Sequence, residues 1–116
     1  MTGFVYYTIL RRMIKNYHSQ GYEIVSSKHP DYPDDIHHLL QGYRPDLLAC
    51  RNGAYIICDV ETIETLKLRE TVRNLYLLSN CSYSLHVAVP SSCYEQARSV
   101  ASLNNIEVLH WWKLLV

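Results

Sequence analysis

The sequence lacks long apolar runs and any surplus of charge. Its 116 residues carry 11 basic and 11 acidic side chains, for a formal net charge of zero. No apolar run approaches the roughly 20 residues that a membrane-spanning helix needs. Without a global basic field, a nucleic-acid coat protein is disfavoured, although an enzyme with only a local basic rim is not. We therefore expect no membrane association.

The cysteines lack the paired spacing that structural zinc sites use. None of Cys50, Cys58, Cys81 and Cys93 forms a C-x-x-C pair, so a zinc ribbon is disfavoured. The first residues have neither a basic segment nor an apolar stretch before a cleavage site, which argues against a signal peptide. We expect free thiols and a cytoplasmic location.

No internal repeat, low-complexity tract or linker divides the chain. Apolar residues make up 48% of the sequence, enough for a core at this length. Residues 1–116 are therefore expected to form a single domain.

The most informative segment is a β-hairpin signal around Asn52-Gly53. This dipeptide separates two apolar runs, at about 45–50 and 54–61, and both of its positions tolerate positive φ. If Asn52 and Gly53 form the turn, the register places Asp46 opposite Asp59. Directly opposed residues point to the same face, with β-carbons roughly 5 Å apart.

Three acids are expected at one end of this hairpin. Glu61 lies two residues beyond Asp59 and so projects to the same face as Asp46 and Asp59. Clustered carboxylates in apolar surroundings are electrostatically unfavourable unless a cation lies between them. The pattern predicts a divalent metal site, although acids at strand ends are also often solvated or paired with a neighbour such as Arg44.

Hydrophobic periodicity predicts an α/β fold. Helices are expected at 4–18, 64–79 and 92–103, strands at 22–26, 45–50, 54–61, 84–89 and 106–110, and about two helical turns within 33–40. This mixed order indicates a mixed sheet flanked by helices on both faces.

The two longer helices are each expected to bury one face. The core-facing residues of the first are predicted to be Tyr6, Ile9, Leu10, Met13, Ile14 and Tyr17. Those of the second are predicted to be Leu68, Val72, Leu75, Tyr76 and Ser79. The basic residues of the first helix, Arg11, Arg12, Lys15 and His18, fall outside its apolar face and are either a solvated surface or a phosphate-binding one.

The element order and the acids together resemble the PD-(D/E)XK nuclease superfamily, which includes restriction endonucleases and Holliday-junction resolvases. Pro45-Asp46 matches the "PD", and Asp59-Val60-Glu61 matches the "(D/E)XK" with Glu61 in place of the motif lysine. The resemblance implies a restriction-endonuclease-like mixed sheet with an α-β-β-β-α-β core. Family members often carry a Glu in the first helix, and the helix at 4–18 has none.

The resemblance also implies a chemistry, namely metal-dependent hydrolysis of phosphodiester bonds in DNA with Mg²⁺ or Mn²⁺. Asp46, Asp59 and the carbonyl of Val60 would hold the ion, which activates water and neutralises charge in the transition state. Glu61 would bind a second ion or accept a proton from the attacking water.

The cationic role that the motif lysine normally fills has two candidates. Lys67 follows Glu61 by six residues and is the predicted catalytic lysine, and Lys28, just beyond the first strand, is the other.

Three further points stay open in the sequence. The chain could be a catalytically inactive nuclease-like module that binds nucleic acid or a protein partner. It could also be a small regulatory α/β domain in which 45–50 and 54–61 do not pair. The apolar end, residues 110–116, is expected either to close the sheet edge or to pack against a partner, and a homodimer is a possible arrangement.

Overall fold

The computed structural model describes residues 3–30 and 42–116. Within them the helices are α1 (Gly3–Ser19), α2 (Arg69–Ser79) and α3 (Tyr94–Leu103), and the strands are β1 (Glu23–Ser27), β2 (Leu47–Arg51), β3 (Ala54–Val60), β4 (Ser84–Pro90) and β5 (His110–Leu114). Two 3₁₀ turns, at Thr65–Lys67 and Ser91–Cys93, precede α2 and α3. The helical turns predicted within 33–40 lie outside the described residues.

The five strands form one mixed sheet in the order β1-β2-β3-β4-β5. The first three pair antiparallel, whereas β4 and β5 join them in parallel. Both parallel connections contain a helix, as parallel pairing requires. The predicted α/β class, a mixed sheet flanked by helices, is confirmed.

Each face of the sheet has its own apolar core. One core packs the predicted stripe of α1 against alternate residues of β2 and β3, such as Leu47 and Cys58. The other packs α2 and α3 against the intervening residues, such as Leu48 and Ile57. A central strand that is buried on both faces explains the continuous apolar run of β3.

The Asn-Gly turn forms as predicted. Asn52 and Gly53 both have positive φ, at 52° and 78°, and Arg51 pairs with Ala54 across the turn. The ladder then runs without interruption to Leu47 opposite Cys58. This register carries Asp46 to the position beside Asp59, at the end of the hairpin farthest from the turn.

The prediction of one continuous helix over 64–79 is wrong. Leu68 is extended, with φ −90° and ψ 133°, so the segment splits into a 3₁₀ turn and α2. Reciprocal hydrogen bonds between Thr62 and Thr65 hold the 3₁₀ turn as a separate unit. Such local bonds from threonine compete with a continuous helix.

The buried face of α2 also differs from the prediction. Its buried residues are Thr71, Asn74, Leu75 and Leu78. Leu68 and Tyr76, which were expected in the core, are 52% and 47% exposed. The helix is therefore rotated so that two polar residues face inward.

The last strand lies later in the chain than the predicted 106–110. Ile106 instead closes the end of α3 by donating its N–H to the carbonyl of Ala101. The strand begins at His110, pairs in parallel with β4 and forms an edge of the sheet. The apolar end therefore adds an edge strand to the sheet, and its packing against a partner stays a prediction.

All four cysteines are free, as expected. Across 3–30 and 42–116, no helix combines the length and apolar character that crossing a membrane demands.

Candidate active site

Two buried aspartates face each other across the open end of the hairpin. The N–H of Asp46 donates to Oδ1 of Asp59 over 2.9 Å, and the N–H of Val60 donates to Oδ2 of Asp46 over 2.8 Å. Each carboxylate is thus fixed by the backbone of the opposite strand. Asp46 is 4% exposed and Asp59 is fully buried.

Asp46 has two further partners from other elements. The hydroxyl of Tyr6, on α1, donates to its Oδ1 over 2.5 Å, and the ammonium of Lys28 lies 3.5 Å from the same oxygen. Tyr6 therefore ties α1 to the carboxylates. Its pKa is raised, first by burial and then by Asp46, which keeps the hydroxyl protonated and able to donate.

The sheet itself positions Lys28. Its N–H donates to the carbonyl of Asp46 over 3.0 Å, continuing the β1–β2 pairing beyond the end of the strand. Its ammonium lies 5.0 Å from the ring centroid of Tyr43, which packs on the side chain as a cation–π partner. Backbone pairing and an aromatic contact together hold this cation next to Asp46.

Asp59 carries the least satisfied polar atom of the site. Its Oδ2 is buried and has no hydrogen-bond partner. Burial, and next the charge of Asp46, raise the pKa of Asp59 to about 8, opposed by the backbone N–H of Asp46, by Lys28 and by Tyr43. At neutral pH this carboxyl group therefore holds a proton much of the time.

The other two acids are perturbed in the same direction. Burial raises the pKa of Asp46, and Lys28 is the main opposing influence. Burial, followed by the charges of Asp59 and Asp46, raises the pKa of Glu61 well above its ordinary range. Strongly perturbed acids grouped in a cleft are typical of functional sites.

An open cavity of about 370 Å³ adjoins these groups. Its described lining comprises Tyr6, Lys28, Tyr43, Asp46, Val60, Glu61, Thr65, Leu68, Glu70, Thr71 and Asn74. It brings together α1, the end of β1, the hairpin and α2. Asp59 lies behind this lining, beside Asp46.

The structure identifies site residues that the sequence patterns did not. Thr71 and Asn74 are buried polar residues on α2 that line the cavity. Because the buried face of α2 was predicted from the spacing of apolar residues, the face that carries these two polar residues was expected to be exposed to solvent. A polar pair at i and i+3 within an otherwise apolar stripe was the available signal.

The two lysine candidates are placed differently. Lys28 lines the cavity and contacts Asp46. Lys67 is exposed on the 3₁₀ turn and does not belong to the lining. The cation beside the carboxylates is therefore Lys28 rather than the predicted Lys67.

The predicted cluster of three acids forms only in part. In the described ranges, no three His, Cys, Asp or Glu side chains come together as a ready-made metal cluster. Asp46 and Asp59 face each other, whereas Glu61 lines the cavity beside them. Two carboxylates with a backbone carbonyl nevertheless suit Mg²⁺, which keeps several waters and commonly uses one or two protein carboxylates. Oδ2 of Asp59 makes no hydrogen bond of normal length, and Tyr43 approaches this carboxyl group only closely enough to lower its pKa, so the oxygen is suited to a cation.

The overall architecture is similar to that of two solved structures. One is an XisH family protein from Nostoc punctiforme PCC 73102, with a TM-score of 0.51 and 15% identity over 93% of this chain and 91% of that one. The other is a FdxN element excision controlling factor protein from Anabaena variabilis, with a TM-score of 0.49 and 16% identity over 90% and 91% of the two chains.

The first likeness shows the fold alone. It extends over more than nine tenths of both chains, so it concerns the overall fold and not one local motif. No family model matches the sequence, and no curated protein matches it. The function must therefore be argued from the site.

Proposed function

We propose that this protein is a metal-dependent nuclease that hydrolyses phosphodiester bonds in DNA with Mg²⁺ or Mn²⁺. The observation that carries the proposal is the facing pair Asp46 and Asp59, in which Oδ2 of Asp59 is buried without a partner. Asp46, Asp59 and the carbonyl of Val60 would hold the ion. Bound there, a divalent cation would supply a more acidic water and a counter-charge for the scissile phosphate.

In this proposal Lys28 has the role that the motif lysine normally has in the resembling nucleases. Its ammonium lies at the cavity wall, held by Asp46 and by the ring of Tyr43. A phosphate entering the cavity would meet this cation, which stabilises the negative charge that grows on the phosphoryl oxygens during attack. The lysine is thus supplied by the end of β1 instead of by β3.

Glu61 is the proton acceptor in this proposal. It lines the cavity, and its raised pKa makes it a stronger base than an ordinary carboxylate once it is ionised. The water oxygen forms the new bond to phosphorus, its proton passes to Glu61, and the P–O bond to the leaving oxygen breaks. Thr65 opposes the rise in the pKa of Glu61, and both residues line the cavity.

Cleavage of labelled single-stranded, duplex and branched DNA with Mn²⁺ tests this function. We expect Asp59→Asn to reduce cleavage by about 100-fold or more, because the orphan oxygen is replaced by an amide nitrogen. Lys28→Met should reduce it at least about tenfold, whereas the same change at Lys67 should leave it within about twofold. Circular dichroism of each variant controls for folding.

Two results would contradict the proposal. One is a folded native chain that cuts none of the three DNA forms; the other is cutting that survives Asp59→Asn, which indicates a contaminating nuclease. A loss confined to Lys67→Met would reassign the lysine.

A second candidate function is a catalytically inactive module that binds nucleic acid or a protein. It is favoured by Glu61 at the motif lysine position and by Asp46, both of whose oxygens already have protein partners. Binding of DNA in the presence of chelator, with no cleavage in Mn²⁺, would favour this alternative.

A further inference from the structure

The outward face of α1 combines cations with exposed aromatic rings. The helix contains Arg11, Arg12 and Lys15 and no acidic residue, although the chain as a whole is neutral. Phe4 is 84% exposed and Tyr7 is 40% exposed near its start. Positive charge and aromatic surface are therefore concentrated on one element.

These side chains surround a second open cavity of about 540 Å³. Its described lining includes Phe4, Tyr7, Arg11, Arg12, Lys15 and His29. Arg12 also donates a hydrogen bond to the carbonyl of Leu115, which ties α1 to the last residues of the chain. Arg11 and Lys15, one helical turn apart, give the cavity its cationic wall.

The second cavity adjoins the carboxylate cavity. Tyr6, which bonds Asp46, and Tyr7, which lines the second cavity, are successive residues with ring centroids 4.9 Å apart. Lys28 and His29 are likewise successive, and the ring of His29 lies 5.6 Å from that of Tyr7. The two cavities therefore share a wall, in which Tyr6 and Lys28 face the carboxylates and Tyr7 and His29 face the cationic surface.

We propose that this face of α1 binds a nucleic-acid strand with unpaired bases and leads it to the Asp46–Asp59 pair, an inference that rests on the proposed function for its second half. Arg11 and Lys15 contact phosphates, and Phe4 and Tyr7 stack against bases. Proteins that hold single strands combine these two kinds of contact in a charged groove.

The dimensions agree with a short strand. From Phe4 to Lys15 the helix rises roughly 16 Å, at about 1.5 Å per residue. An unpaired strand of only a few nucleotides spans this length. Exposed rings have no stacking partner in an intact duplex, whose bases face inward, so an unpaired strand is the better fit.

Fluorescence anisotropy of a labelled oligothymidine of eight nucleotides tests the surface. Binding is measured in chelator with the Asp59→Asn variant as the background, so that cleavage does not interfere. We expect Arg11→Gln with Lys15→Gln to weaken binding at least tenfold and to reduce the salt-dependence slope by about 1.4, or 0.7 per lost phosphate contact. Phe4→Ser with Tyr7→Ser should weaken binding with the slope unchanged.

A control for the loss of one positive charge lies on the other face of the sheet. Arg98 is exposed on α3, and Arg98→Gln should leave both affinity and slope unchanged. A blunt duplex of the same length should bind the Asp59→Asn background at least about fivefold more weakly than the single strand.

Three outcomes would overturn the inference: an oligothymidine affinity insensitive to the α1 changes, an equal loss with Arg98→Gln, or equal binding of duplex with no effect of the ring variants. Its failure is distinguishable from that of the nuclease proposal. Strand binding through α1 by a chain that never cuts DNA would refute only the cleavage, whereas cutting without this binding would refute only the surface.

Discussion

At the scale of single residues, the buried carboxylates of the site lower the stability of the folded chain. Asp59 is fully buried, one of its oxygens has no partner, and its nearest charged neighbour is a second carboxylate. Lys28 is the main cation opposing the raised pKa of Asp46. Such an arrangement is unfavourable for stability and suited to capturing a further cation.

The stability of the chain should therefore depend on pH through Asp59. Its pKa rises from 3.8 to about 8 on folding, so the folded state binds the proton more tightly and this contribution to stability is lost as pH rises between those values. In chelator, the stability of Asp59→Asn relative to the native chain should increase by on the order of 4 kcal/mol between about pH 5 and about pH 8.5, at about 1.4 kcal/mol per pH unit up to the folded pKa of about 8. Urea unfolding at both pH values measures the gain.

The exposed Glu95 of α3 provides the control for this prediction. Glu95→Gln likewise converts a carboxylate to an amide, but at an exposed position, and is the comparison against which the Asp59→Asn difference is measured. An Asp59→Asn difference that stays constant with pH, or that shrinks as pH rises, would contradict the account.

The residues of the site differ in how readily the sequence reveals them. Asp46 and Asp59 follow from counting outward from Asn52-Gly53, because an antiparallel register leaves one solution. Lys28 and Tyr6 do not follow in this way, since their approach to Asp46 depends on how β1 and α1 pack against the hairpin. Local patterns carry no information on such packing.

At the scale of elements, the hairpin is the part on which the site depends. Gly53 has φ 78°, and a side chain added there would meet nothing within 4 Å, so only backbone conformation resists substitution. Gly53→Ala should therefore destabilise the chain by about 1 kcal/mol, the cost of a left-handed conformation for an L residue.

Asn52→Gly is the matched change at the other turn position. Its φ of 52° suits glycine, so the stability should change by only a few tenths of a kcal/mol. Urea unfolding of both variants decides the matter. A Gly53→Ala chain as stable as the native one would mean that the turn does not depend on positive φ.

The remaining elements show what periodicity can and cannot reveal. The predicted stripe of α1 is confirmed for its five buried residues, Ile9, Leu10, Met13, Ile14 and Tyr17. Tyr6 is only partly buried and bonds Asp46. The face of α2 was misplaced because Thr71 and Asn74 turn inward to the cavity. β5 was placed too early because Ile106 is buried at the end of α3 instead of in the sheet.

At the scale of the whole molecule, neutrality conceals a separation of charge. Although the net charge is zero, acids line the cavity at the end of the hairpin and cations line the surface of α1. The α/β class and the sheet could be predicted from element order, and the likeness to the XisH family protein supports the same fold. Homodimerisation and a cytoplasmic location stay predictions.

The most direct test of the central claim is Mn²⁺ binding to the native chain and to Asp59→Asn, by calorimetry at about pH 6 and about pH 8. We predict one ion per native chain, with an affinity that rises with pH because Asp59 must lose its proton, given a pKa of about 8. The Asp59→Asn chain should lack this site. Absence of binding to the native chain, or equal binding to the two chains, would contradict the claim that Asp46 and Asp59 share a metal ion.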